Sequence, residues 1–192
     1  MGEKAIPSRL EKMLSNTPWS RLTTCYGRAT VFPEYVHKIL KNEDDENPYK
    51  EILNIIEHQD TLYQATPSMV RILIELLKET KTDKSWLLAI LYSVFRAAEF
   101  QLEFRKPPSK KKAKLWDDLW PEFESEEIDE ELWEDFTGEK IYFWHKFSAN
   151  FIIAAYDLIK SFKKVEDKET KEYAEKLITL IDRYKHTQEN IK

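Results

Sequence analysis

EHQDTLYQATPSMVRILIELL, residues 57–77, holds the reading of the fold. From Pro67 onward it places Met69, Leu73, Leu76 and Leu77 at helical spacing, with proline at the first helical position. Just before it, PYKEILNIIEH carries a second stripe, Tyr49, Ile52, Leu53 and Ile56. Between the two stripes stand His58, Gln59, Tyr63 and Thr66, more polar and aromatic groups than a turn between helices needs. As a joint, Thr66 caps the helix that Pro67 continues and Tyr63 buries its ring. His58 and Gln59 then bond carbonyls left open at the preceding helix end. As a site, the same groups His58, Gln59 and Tyr63 line the concave face of stacked hairpins and contact a partner. The joint is the simpler account, and the concave face is kept as the alternative.

Working outward, the same helical period recurs along the chain. SRLEKMLSN reads as a first helix capped by Ser8, and NTPWSRL offers Thr17 as a cap before Pro18. A helix restarts at Pro33 with Tyr35, Val36, Ile39 and Leu40 on one face. The polar turn NEDDENP, with Asp44 and Asp45 solvated, leads to Asn47 and Pro48. Asp83 caps a long helix carrying Leu87, Leu91, Val94, Phe95, Ala98 and Leu102. IYFWHKFSANFIIAAYDLIKSF and DKETKEYAEKLITLIDRYKH supply two more helices, joined by a turn at Glu166 and Asp167. No segment alternates with period two for long enough to read as a strand. The expected fold is all-α, with short connections that pack neighbours antiparallel.

Composition narrows the function classes. The chain has 192 residues, 42% of them hydrophobic, and only three glycines, Gly2, Gly27 and Gly138. Phosphate-cradling loops and dinucleotide folds need more glycine than that. The single cysteine, Cys25, excludes an intramolecular disulfide and a multi-cysteine metal site. None of the histidines, His37, His58, His145 and His186, is paired at i, i+3 or i, i+4, so no metal and no cofactor is expected. MGEKAIPSRLEKMLSN has no apolar run of the signal-peptide kind, and no stretch reaches the ~20 apolar residues of a membrane span. A cytoplasmic chain is expected.

Pro33 and Pro67 open corresponding helices 34 residues apart. The next comparable pair begins near Ile141. Removing the aberrant block 105–139 restores a spacing of about 40, within the range of HEAT and armadillo repeats. An irregular helical bundle accommodates the same helices. The expected organisation is one helical-repeat domain over 1–192, with 105–139 a charged, aromatic-rich insertion.

Over residues 17–80, WSRLTTCYGRATVFPEYVHKIL and IIEHQDTLYQATPSMVRILIELL resemble a group of bacterial HEAT-repeat-like proteins. Tyr26, Gly27 and Ala29 fit that group's Tyr-Gly-x-Ala segment. His58, Gln59, Tyr63, Ala65 and Thr66 fit its His-Gln-Gly-x-x-Tyr-x-Ala-Thr segment, with Asp60 where the group has glycine. The resemblance implies an α-α superhelix of antiparallel hairpins and brings no established activity. By analogy it points to a scaffold or to the immunity partner of a toxin.

The insertion is sharply polarised. RKPPSKKKAK, residues 105–114, carries six positive charges, whereas 115–139 carries twelve acidic residues and no Lys or Arg. Trp116, Trp120, Phe123, Trp133 and Phe136 are interleaved with those acids. Three tryptophans are unusual in a linker, so most of these rings are expected to fold onto the repeats. Ile128, Leu132, Trp133 and Phe136 would share one face of a short helix. The acids then crowd on the outside, relieved either by Lys110, Lys111, Lys112 and Lys114 or by a basic partner. With a net charge of −5, a nucleic-acid enzyme working through the lysine run is disfavoured. The expected function is non-enzymatic binding of another, basic, protein, in its sharpest form immunity against a basic toxin. The expected contacts are Trp116, Trp120, Asp129, Glu130, Trp133 and Glu134. The alternative is a HEAT-like scaffold binding on its concave face.

Overall fold

The computed structural model describes residues 6–42, 47–108, 113–134 and 138–189, with the side chains at 134 and 138 excepted. Asp44, Asp45, Lys110, Lys111, Lys112 and Phe136, and the side chain of Glu134, therefore lie outside the described residues. Within them, helices dominate: α1 (Ser8–Asn16), α2 (Phe32–Lys41), α3 (Pro48–Ile56), α4 (Thr66–Leu76), α5 (Lys84–Phe104), α6 (Glu126–Glu134), α7 (Gly138–Ala154), α8 (Tyr156–Ser161) and α9 (Lys168–Glu189). None is long and apolar enough to cross a membrane.

α5 is the axis. Leu87, Leu88, Ile90, Leu91, Val94, Phe95, Ala97 and Ala98 are all fully buried, on more than the one face that the period suggested. A helix buried nearly all round must be packed from several sides. α3, α4, α7 and α9 surround it, and Phe95 meets Tyr184 of α9 edge-on at 5.6 Å. Each fully buried Leu, Ile or Phe contributes about 1.5–3 kcal/mol relative to exposure.

The helix starts show where side-chain chemistry decides and where proline alone suffices. Asn47 accepts the N–H of Lys50, Asp83 that of Trp86 and Asp167 that of Thr170, as N-caps do. Ser8, Thr17 and Thr66 do not cap. α1 follows Pro7 without a side-chain cap, and the Thr17 hydroxyl donates back to the Met13 carbonyl. Thr66 accepts the N–H of Tyr63 and donates to the carbonyl of Ile56 at 2.6 Å. It therefore closes the end of α3, the task expected of His58 and Gln59. The long apolar run after residue 138 is also broken: the Ala155 N–H is shared between the Phe151 and Ile152 carbonyls, and α8 starts afresh.

The chain is not free of strands. Two antiparallel ribbons stand before α2 and α4: β1 (Thr23–Thr24) with β2 (Gly27–Arg28), and β3 (Glu57–His58) with β4 (Thr61–Leu62). Each strand is two residues long, too short for period two to register in the sequence. The second ribbon follows the first by 34 residues, as Pro67 follows Pro33 and α4 follows α2. The repeating unit is thus a hairpin, a proline-led helix and a second helix. The first ribbon is tied to the start of α4, the Ala65 N–H donating to the Thr23 carbonyl at 3.0 Å.

Their turns differ. In the second, Gln59 and Asp60 have φ of 52° and 57°, the paired left-handed conformation of a tight two-residue hairpin loop. Asp60 thus adopts a left-handed conformation of the kind that glycine enters without strain. In the first, positive φ is confined to Gly27, at 106°; a Cβ there would meet nothing, so the dihedral and not space demands glycine.

Candidate functional site

Arg28, on β2, organises the region. Its Nε and Nη2 donate to the two carboxylate oxygens of Asp129 at 2.8 and 2.6 Å. Its Nη1 donates to the carbonyls of Ser20 and Pro121. The guanidinium lies 5.3 Å from the ring centroids of both Trp120 and Phe123. A planar fork matched to a carboxylate and covered by aromatic faces is arginine chemistry that lysine cannot reproduce. Both side chains are largely shielded, 8% exposed for Arg28 and 14% for Asp129.

Around this centre the insertion is tied down along its length. The Trp120 N–H donates to the Arg21 carbonyl and Arg21 Nε donates back to the Trp120 carbonyl. Gln64, itself buried, donates to the carbonyls of Asp117 and Asp118, the latter at a left-handed φ of 61°. The indole N–H of Trp116 donates to the Ser68 hydroxyl at 3.1 Å. Trp133 meets Tyr63 and Trp120 edge-on, with centroids 6.0 and 5.7 Å away. The described part of the acidic block, residues 115–134, is therefore a layer fastened over the two hairpins.

α6 is divided by this packing. Ile128, Asp129, Leu132 and Trp133 face inward or half inward, whereas Glu126, Glu127, Glu130 and Glu131 are exposed. The four glutamates form two i, i+4 pairs of like charge along one ridge, a repulsion without relief from their own helix. Glu122 and Glu124, which precede α6, are also exposed, and Glu122 lies 3.9 Å from Arg21. Two aromatics remain open beside the ridge, Phe123 at 55% and Tyr26, on the turn of the Arg28 hairpin, at 71%.

The structure thus sorts the predicted contacts. Glu130 is on the open ridge. Trp116 is partly open but lies over Ser68 of α4. Trp120 is buried and Asp129 is held by Arg28, so both act inside the fold and neither is presented to a partner. Trp133 is half-buried against Tyr63. That contact brings the two predicted groups together, because Tyr63 is on the hairpin whose turn exposes His58 and Gln59. The ring of His58 sits 6.2 Å from that of Tyr26. Sequence reasoning missed Arg28 and looked for neutralising cations in the neighbouring lysine run. The available signal was a basic residue at the open position of the Tyr-Gly-x-Ala segment.

The reactive groups near the hairpins are held in their protonated forms. Burial, with the Glu57 carboxylate adding to it, pushes the Cys25 thiol up to about 11. The thiol donates to the Asn54 and Ile55 carbonyls. Burial, reinforced by Cys25, Glu57 and Tyr26, raises the Tyr63 phenol to about 12. A thiol so raised is a poor nucleophile near neutral pH. Among the described residues no group of three or more His, Cys, Asp or Glu is placed to hold a metal ion.

The second hairpin has its own fastening. The Leu62 N–H donates to Nε2 of His145 on α7 at 3.1 Å, and His145 Nδ1 lies 2.7 Å from the Ile141 carbonyl. This pairing fixes the tautomer with the proton on Nδ1. His145 is fully buried, and burial lowers its pKa to about 4. It is a core histidine linking a hairpin to a helix.

The chain matches no known family model, no curated protein and no solved structure.

Proposed function

We propose that this chain is a non-enzymatic protein-binding module whose α6 ridge receives a basic protein. The observation that carries this reading is the division of α6. Arg28 neutralises one acid, Asp129, and holds the helix in place, while four glutamates of the same helix face outward. A fixed acidic ridge steers a cationic partner and sets its orientation, and an adjacent open aromatic supplies the anchor. Phe123 and Tyr26 take the anchoring role in place of Trp120, which is buried, and Trp133, which is half-buried against Tyr63. In its sharpest form the partner is a basic toxin whose substrate channel the ridge occludes, and the chain is its immunity protein.

The test uses point variants, because deleting the insertion would expose Arg28 and Tyr63. Glu126→Gln, Glu130→Gln and Glu131→Gln together leave the Arg28–Asp129 pair intact. A basic protein captured from the native host by the wild type is then measured against both forms. Association with the triple variant is expected to be about tenfold slower or more at low salt, with a flatter salt dependence. Equal rates for both forms would overturn the reading.

A second reading is favoured by the recurrence of the hairpin-and-helix unit at 34 residues. In it the chain is a HEAT-like α-α superhelix acting as a scaffold, with His58, Gln59 and Tyr63 on the partner face. Its binding survives the triple variant and is lost on substituting His58 and Tyr63.

A further inference from the structure

A groove runs between α1, α4, α7 and α8, with no described residue of α6 in its walls. Two adjoining cavities of about 420 and 270 Å³ share Arg9, Met13 and Arg71 in their walls. The floor is apolar, formed by Met13, Ile74, Phe151 and Leu158, and Trp116 stands at one end. The rim is basic: Arg9, Lys12, Arg71 and Lys78. Against these four cations the described lining residues offer one carboxylate, Glu75, which already pairs with Arg9 at 3.1 Å and Lys78 at 2.7 Å. Lys12 and Arg71 have no carboxylate partner among the described residues. Arg71 is exposed, with its guanidinium 5.6 Å from the Phe151 ring centroid.

In a chain of net charge −5 this is a local reversal of sign beside an open apolar trough. Such a surface fits an acidic segment that also carries a large apolar side chain. The molecule displays one: the exposed glutamates of α6, introduced by the open ring of Phe123. No described lining residue of the groove belongs to α6, and the Arg28–Asp129 pair holds that helix on its own hairpin. Docking within one chain is therefore not the arrangement.

We propose that the groove of one copy receives the α6 ridge of a second copy, head to tail. Two different surfaces meet in such a contact, so it propagates into a ring or an open chain instead of stopping at a two-fold dimer. It uses the ridge of the proposed function but no foreign partner, so failure of either reading is visible without the other.

Sedimentation velocity on the full chain at low salt tests it, with Arg71→Glu to break the groove and Glu130→Lys to break the ridge. Both positions are exposed, and an unchanged thermal midpoint confirms folding; Lys12→Glu and Glu127→Lys serve as a second pair. The wild type is expected to self-associate with rising concentration and to dissociate in high salt. Each variant alone is expected to weaken association at least about tenfold. An equimolar mixture of the two keeps one sound groove and one sound ridge, brings the reversed charges of Arg71→Glu and Glu130→Lys to each other, and is expected to regain association. A wild type that stays monomeric, a mixture that does not associate, or loss through Arg71→Glu but not Glu130→Lys would each overturn the proposal. So would a monomer that instead binds a single-stranded oligonucleotide through Arg71.

Discussion

The two hairpins share a register and a place before a proline-led helix, yet they hold different parts of the molecule. The positions of Arg28 and Leu62 correspond, 34 residues apart. At the first, a guanidinium reaches out and binds the acidic layer through Asp129 and two carbonyls. At the second, an apolar side chain turns into the core and the backbone N–H is taken by His145 of α7. One substitution of chemistry on one backbone unit separates an internal joint from a mount for a surface element. Thr66 and Tyr63 belong to the joint, whereas His58 and Gln59 stand on its exposed turn.

The difference between the two hairpins rests on Arg28. Arg28→Ala leaves the shielded Asp129 carboxylate unpaired and is expected to lower stability by about 4 kcal/mol in denaturant unfolding. Arg28→Lys should recover little, because an ammonium cannot make the forked contact or present a planar cation to the Trp120 and Phe123 rings.

The second hairpin carries a pH signature in the acid range. The folded pKa of His145, about 4, lies below the ordinary histidine value of 6.5, so the unfolded chain takes up the proton first. The contribution is fully present above about pH 6.5 and is lost as pH falls toward 4, reaching about 3 kcal/mol. Unfolding measured across that window should show the decline.

His145→Leu should remove this dependence. It should also lower stability at neutral pH by about 2 kcal/mol, since the buried Leu62 N–H loses its acceptor.

The smallest effect concerns the turn. Asp60→Gly relieves a left-handed conformation and gives up only an exposed 3.3 Å contact with Arg96. A gain of up to about 1 kcal/mol is expected, read as a raised thermal midpoint.

Much of the helical frame was legible because burial writes a 3.6-residue period into sequences such as 84–104. Pro33, Pro67, Asn47 and Asp83 announced helix starts by chemistry that acts locally. The strands were not legible, since two-residue ribbons leave no pattern. Within the insertion, the burial of Trp120 followed from its size, but the role of Asp129 depended on Arg28, 101 residues away in sequence. Acids on one helix read alike until tertiary structure supplies a cation to one of them. That is why Glu130 and Asp129, neighbours in sequence, end with opposite roles.

Hydrogen exchange across residues 113–134, compared between wild type and Arg28→Ala, tests most directly whether Arg28 mounts the acidic layer on the hairpin. Protection of this segment in the wild type, lost in the variant while α5 stays protected, is the predicted result. Equal exchange of the segment in both forms would contradict it.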